Sequence, residues 1–220
     1  MKKGTCIVVG AGPGLGLAVA RRFGKEGHPV ALLGRRLEPL EAQLEALREA
    51  NVHARAFSAD ASDPGSLIHG LEHAQTALGK AGILIYNAAA LRKTGHVLEE
   101  RFESLVEDFK VNVAGALVAT QQVYPAMKQQ GHGTILLTGG ALAVDPMPLY
   151  ASLAIGKAGL RNLAFSLAKE MEPQGIHVAT VTICGFIQAG TRFDPDRIAE
   201  EYWRLHAQPV GTWNHESVYE

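Results

Sequence analysis

Short, wholly apolar runs alternate along the chain with longer stretches whose apolar positions recur every three or four residues. Cys6 to Val9 is a run of the kind buried on both faces of a sheet. Leu15 to Lys25 follows as a helix and Val30 to Leu33 as a second strand. Leu37, Leu40, Leu44 and Leu47 mark one side of a helix by their spacing. Val52 to Phe57 reads as a third strand. Asp63-Pro64 then reads as an N-cap with proline at the first helical position, opening a helix to about Leu78. Ile83 to Tyr86, Ile135 to Thr138 and Val178 to Ile183 are the next strands. Between them the pattern predicts a long helix from Phe102 to Gln130 and another from Leu149 to Met171. Asp194-Pro195 repeats the cap signal before Arg197 to His206, and Trp213 to Tyr219 is expected to end in a short edge strand. Such alternation is built from βαβ units. The expected fold class is therefore α/β: one doubly wound domain over residues 1–220, a parallel sheet of six to seven strands with helices on both faces.

Composition narrows the partners. Of the 220 residues, 47% are apolar and 20% charged, and the net charge of −1 steers the chain toward neither nucleic acid nor anionic lipid. The opening Met1-Lys2-Lys3 precedes an apolar run too short for a signal peptide, and no stretch approaches the roughly 20 apolar residues that span a bilayer. A cytoplasmic protein with no membrane or nucleic-acid partner is expected. Cys6 and Cys184 lack metal or redox spacing and read as buried thiols. His69 and His73 share a helix face without a third ligand, so no metal is expected.

Chemistry enters at Gly10-Ala11-Gly12-Pro13-Gly14-Leu15-Gly16, which follows a strand and opens a helix. Glycines there let the backbone approach a pyrophosphate, and the helix terminus supplies unpaired N–H groups and partial positive charge. The GxxxGxG spacing on Gly10, Gly14 and Gly16, with Asp60, Asn87-Ala88-Ala89, Asn112 and Lys157 following in order, resembles the short-chain dehydrogenase/reductase family from Cys6 to about His206. The resemblance implies a Rossmann-type nicotinamide-dependent oxidoreductase. It places Gly10, Gly12, Gly14, Leu15, Gly16, Asp60, Ala61, Asn87, Ala88, Lys157, Gly185 and Ile187 at the cofactor, with Asp60 on the adenine and Asn87 beside the adenosine ribose. Tyr86 and Ala89 stand in place of the family's usual Asn and Gly. Where NAD-selective members carry an acidic residue after the second strand, this chain has Gly34-Arg35-Arg36. A guanidinium can hold a 2′-phosphate that a carboxylate would repel, so Arg35, helped by Arg36, favours NADP(H), with NAD(H) possible. The alternative is a pair of solvated arginines.

Members of the family reduce a carbonyl with a Tyr acid, a Lys four residues later that binds ribose and lowers the Tyr pKa, a Ser that orients the carbonyl, and an Asn that holds a relay water. Alignment on Lys157 puts Leu153 at the Tyr position, and the thirteen-residue Ser-to-Tyr interval puts Gly140 at the Ser. Tyr150, seven residues before Lys157, is the expected replacement acid; otherwise it packs at the mouth of the site. Thr138 is the expected stand-in for the Ser if the strand runs on to Gly140, with Ser152 a weaker candidate. Lys157 and Asn112 keep their family places. Cys184-Gly185-Phe186-Ile187 replaces the usual Pro-Gly and begins a shortened lid, for which Phe186, Tyr202 and Trp203 can supply apolar walls or else serve as core. Two readings follow: an NADP-dependent oxidoreductase acting on a small carbonyl or alcohol with a non-standard proton donor, or an NADP(H)-binding sensor or scaffold without hydride chemistry. A homodimer or homotetramer, paired through the two long helices, is implied by the resemblance.

Overall fold

The computed structural model describes residues 3–220. Seven strands form one parallel sheet: β1 (Thr5–Val9), β2 (Val30–Gly34), β3 (Ala54–Ser58), β4 (Ala81–Tyr86), β5 (Gly133–Thr138), β6 (Ile176–Ile183) and β7 (Glu216–Tyr219). Their spatial order is β3-β2-β1-β4-β5-β6-β7. The order reverses direction at β1, so the loops leaving the carboxyl ends of β1 and β4 diverge there and open a crevice.

Seven α-helices cover the two faces: α1 (Leu15–Lys25), α2 (Glu38–Glu49), α3 (Pro64–Leu78), α4 (Phe102–Phe109), α5 (Gly115–Gln130), α6 (Ala151–Met171) and α7 (Pro195–His206). One core joins the sheet to α3, α5 and α6 through Leu71, Val123 and Leu160. The other joins it to α1, α2 and α7 through Phe23, Leu40 and Ile198. Strand side chains alternate between the two cores, so Leu136 packs with α1 and α7 while its neighbours Ile135 and Leu137 pack with α5 and α6.

The helix caps explain the sharpest boundaries. Asp63 accepts from the Gly65 and Ser66 N–H groups at the start of α3, and Asp194 accepts from Asp196 N–H at the start of α7. The long helix expected from Phe102 to Gln130 is interrupted by a π-helical turn, Lys110–Ala114. The Tyr86 hydroxyl donates to the Val111 carbonyl at this turn. A Cβ on Gly115 would lie 2.4 Å from both that hydroxyl and the Ala61 carbonyl, so only glycine lets the coil approach this closely. Sequence periodicity carried no sign of the extra residue in the turn.

Candidate active site

The glycine turn after β1 holds glycines of two kinds. Gly10 has φ +81°, and a Cβ there would sit 2.3 Å from the Ala88 nitrogen; Gly16 packs against the Ala11 Cα at 3.0 Å by the same measure. The protein's own packing requires these two. A Cβ at Gly12 or Gly14 would meet nothing within 4 Å, so both face open space. Gly14 caps α1 without a side-chain hydrogen bond, and the first turn of α1 carries no acidic residue. Donors aimed at open space beside a positive helix end, with backbone bare enough for close approach, fit a pyrophosphate. Leu15 and Gly16, behind the turn, are buried.

The neighbouring loops complete one rim. Asn87 donates from Nδ2 to the Gly10 carbonyl at 2.9 Å and accepts from Thr138 Oγ1 at 3.0 Å, tying together the ends of β1, β4 and β5. Asp60 Oδ1 accepts from the N–H and hydroxyl of Ser62 at 2.8 and 2.7 Å. Partial burial pulls its pKa upward, but those bonds and the nearby charge of Arg35 outweigh burial and hold it below the ordinary value. Arg35 and Arg36, just past β2, are exposed and form no ion pair among the described residues. Ala61 and Ala88 line the same rim, half-buried.

The catalytic end is built on α6. Lys157 is 8% exposed, and its Nζ donates to the Thr138 carbonyl at 2.5 Å. Burial lowers its pKa to about 8. Leu153, one turn earlier on the same face, is 7% exposed and offers no polar atom. A Cβ at Gly140 would lie 3.9 Å from Lys157 Cε and 3.7 Å from the Ile183 carbonyl, which places Gly140 beside the lysine. Asn112, in the π turn, accepts from Ala90 N–H at 2.8 Å, while its buried Nδ2 has no partner. That amide lies so close to α6 that a Cβ on Gly156 would be 2.7 Å from Nδ2.

Thr138 and Ser152 are turned away from this group. The strand ends at Thr138, whose hydroxyl shares a 2.7 Å hydrogen bond with Tyr202 of α7 as well as bonding Asn87. Its side chain thus lies on the α7 face, whereas Gly140 approaches Lys157 on the α6 face, so the two do not share a side as expected. Ser152 is buried and donates to Asp108 Oδ2 at 2.7 Å. Tyr150 precedes α6 at the end of a 3₁₀ turn, with non-helical φ −123° and ψ 35°. Lys93 Nζ lies 5.9 Å from its ring centroid, and Thr94 N–H donates to the Leu149 carbonyl, binding this turn to the loop after β4. Tyr150 therefore lies outside α6, in a turn tied to the loop after β4.

The loop after β6 is short and folded back. Phe193 lies over Gly185, where a Cβ would be 2.3 Å from its ring, and Phe193 also packs edge-on against Tyr219. Phe186 and Ile187 stay 79% and 41% exposed at the rim. Tyr202 and Trp203 are not walls: Tyr202 is wholly buried under Thr138, and Trp203 packs edge-on against Phe23 with Arg22 over its ring. A cluster absent from the sequence reading joins the mouth to α4. Arg92 donates twice to Asp108, at 2.9 and 3.0 Å, and Asp108 in turn receives Ser152. Burial pulls the Asp108 pKa upward, but Arg92 and Ser152 outweigh it and keep the carboxyl below its ordinary value. The available signal was the four-residue spacing of Asp108 and Asn112, which puts two polar groups on the helix face that meets α6.

A parallel doubly wound sheet, an open glycine turn at its switch point and a buried lysine across the crevice define a dinucleotide-binding α/β protein. The family is more specific: this chain belongs to the short chain dehydrogenases, whose sequence profile matches residues 4–197. It is similar to oxidoreductase asL5 of Sarocladium schorii, 29% identical over 206 residues that cover 93% of this chain and 79% of that protein. It is also similar to the 3-oxoacyl-(acyl-carrier-protein) reductase of Homo sapiens, 27% identical with 94% and 83% covered. Among solved structures, a metagenomic short-chain oxidoreductase in complex with NADP superposes with a TM-score of 0.89 at 24% identity, covering 98% of this chain and 95% of that one. No helix among the described residues is long and apolar enough to cross a membrane.

Proposed function

We propose that this protein is an NADP-dependent oxidoreductase that moves a hydride to or from a small carbonyl or alcohol substrate, using a proton donor other than the family's tyrosine. The observation that carries this reading is the glycine turn. Gly12 and Gly14 face open space over the uncapped end of α1, an arrangement the protein's own packing does not require. NADPH would supply the hydride. Gly10, Gly12, Gly14, Leu15 and Gly16 would hold its pyrophosphate, Asp60 and Ala61 its adenine, and Asn87 and Ala88 the adjacent ribose. Arg35, with Arg36, would hold the 2′-phosphate, and Lys157 the nicotinamide ribose. The NADP held by the metagenomic neighbour supports the choice of cofactor. Asn112 keeps a free donor against Gly156 of α6. Tyr150 and Phe186 would wall the substrate, and Gly185 and Ile187, in the loop after β6, would meet the cofactor.

A homodimer or homotetramer goes with this reading. Phe102 of α4, Leu117 of α5 and Ile155 of α6 leave apolar surface exposed on the helices through which pairing is expected.

The test combines NADPH and NADH titration with single-turnover oxidation across a panel of aldehydes and ketones. Tight NADPH binding, weaker NADH binding and measurable turnover are expected. NADPH binding without turnover on any carbonyl would leave a binding protein instead.

A further inference from the structure

The site has no tyrosine hydroxyl at Leu153 but retains a largely buried ammonium group, that of Lys157 at 8% exposed. Lys157 has no carboxylate partner among the described residues, and its one hydrogen bond runs to the Thr138 carbonyl. An ammonium carries three donors, so two remain. At Gly140 a Cβ would stand in ordinary contact, 3.9–4.0 Å from Lys157 Cε and Cδ, so the glycine leaves room for about one methyl group beside the lysine stem. Leu153, on the same helical face, puts no hydroxyl between the lysine and the crevice. The hydroxyls of Thr138 and Ser152 are engaged, the first by Tyr202 and Asn87 and the second by Asp108. Tyr150 lies under Lys93 and belongs to the turn before α6 rather than to its face.

We propose that Lys157 itself protonates the substrate oxygen during carbonyl reduction and takes the proton back in alcohol oxidation, acting from beside Gly140 in place of the hydroxyl that Leu153 lacks. This rests on the oxidoreductase reading above. In the reduction, the carbonyl carbon receives a hydride from the dihydronicotinamide and a C–H bond forms. The π pair of the C=O bond moves onto oxygen, an N–H bond of the Lys157 ammonium breaks and an O–H bond forms. The products are the alcohol, the oxidised nicotinamide and a neutral amine, which regains its proton from solvent. Burial assists: it disfavours the charged form, so the group titrates at about 8, near the value at which a general acid works best around neutrality.

The experiment uses the full chain and a ketone that the wild type reduces. Lys157→Ala is expected to lower the single-turnover rate by roughly 10²–10³-fold. Added methylamine or ethylamine is expected to restore part of it in proportion to concentration, while the NADPH affinity of the variant, read by fluorescence, does not change with amine. Independently of turnover, acetylation of Lys157 read by mass spectrometry across pH should show a midpoint near 8, and the reduction rate of both the wild type and Tyr150→Phe should fall through that same midpoint. Absence of amine rescue in a variant that still binds NADPH overturns the proposal, as does a pH midpoint that moves with Tyr150→Phe. An acetylation midpoint at the ordinary lysine value, in a chain that does reduce the ketone, overturns it alone. NADPH binding by a wild type that reduces no carbonyl overturns the oxidoreductase reading and this proposal with it.

Discussion

Gly10 follows β1 and Gly140 follows β5, on one rim of the sheet with β4 between them, and their surroundings constrain them differently. Gly10 has φ +81° and no room for a Cβ, which would meet the Ala88 backbone at 2.3 Å. Gly140 has φ −175°, extended backbone that any residue adopts, and a Cβ there would meet only ordinary contacts at 3.7 Å and beyond. Gly10 is thus fixed by sterics, as its sequence neighbours Gly12 and Gly14 are not. At Gly140 the backbone leaves the side chain free, so folding does not impose the absence of a hydroxyl there.

That contrast can be broken most directly by adding one methyl group at each place. Gly10→Ala is expected to destabilise the fold by more than about 3 kcal/mol, combining a left-handed backbone with a backbone clash. Gly140→Ala is expected to change stability by no more than about 0.5 kcal/mol. Urea unfolding of both variants checks this, and equal losses would show that the catalytic rim is as constrained as the cofactor rim.

The opposite rim sharpens the same point, because it anchors the strand that ends at Thr138. His206 of α7 hydrogen-bonds Thr134 at the start of β5, 2.9 Å away, and packs among His28, Phe23 and Trp203. Burial, and then the positive charge that His28 and His177 can carry, lower its pKa to about 4. The unfolded chain protonates a histidine near pH 6.5, so the native state binds fewer protons between about 6.5 and 4. Stability is therefore complete above about pH 6.5 and falls as pH drops toward 4, by on the order of 2–3 kcal/mol from this group. Melting temperatures from pH 7 to 4.5 should show the fall in the wild type and a shallower one in His206→Gln. A flat profile would mean that the cluster admits a proton without cost.

A smaller effect is expected where a ligand rather than packing sets the residue. Arg35→Ala should weaken NADPH binding roughly 10–100-fold, the worth of a charge-assisted contact, with NADH binding and melting temperature little changed. Parallel loss of NADH affinity would mean that packing sets Arg35 instead.

How far the sequence could be read follows the same division. The bounds of α1 and α3 were legible to the residue, because a glycine turn and an Asp-Pro cap are local signals. The order of strands and helices was legible through periodicity. The π turn was not, because an extra residue in a helix has no residue type of its own and depends on Tyr86, distant in sequence, bonding Val111. The facing of Thr138 was misjudged because the strand ends there and the alternation does not carry on to Gly140. Tyr202 and Trp203 were open between wall and core, since one amphipathic helix presents the same spacing in either case. The Arg92–Asp108–Ser152 cluster joins three separate segments, and no spacing within any one of them reveals the other two.

On the reading proposed above, Leu153 and Gly140 stand where the family carries its Tyr and Ser. Gly140→Ser combined with Leu153→Tyr restores both hydroxyls beside Lys157, and its single-turnover reduction of ketones with NADPH is the most direct measurement. An increase of roughly 10²-fold or more over wild type, at unchanged NADPH affinity, is the predicted result. An unchanged rate in a variant that folds and binds NADPH as before would contradict that reading.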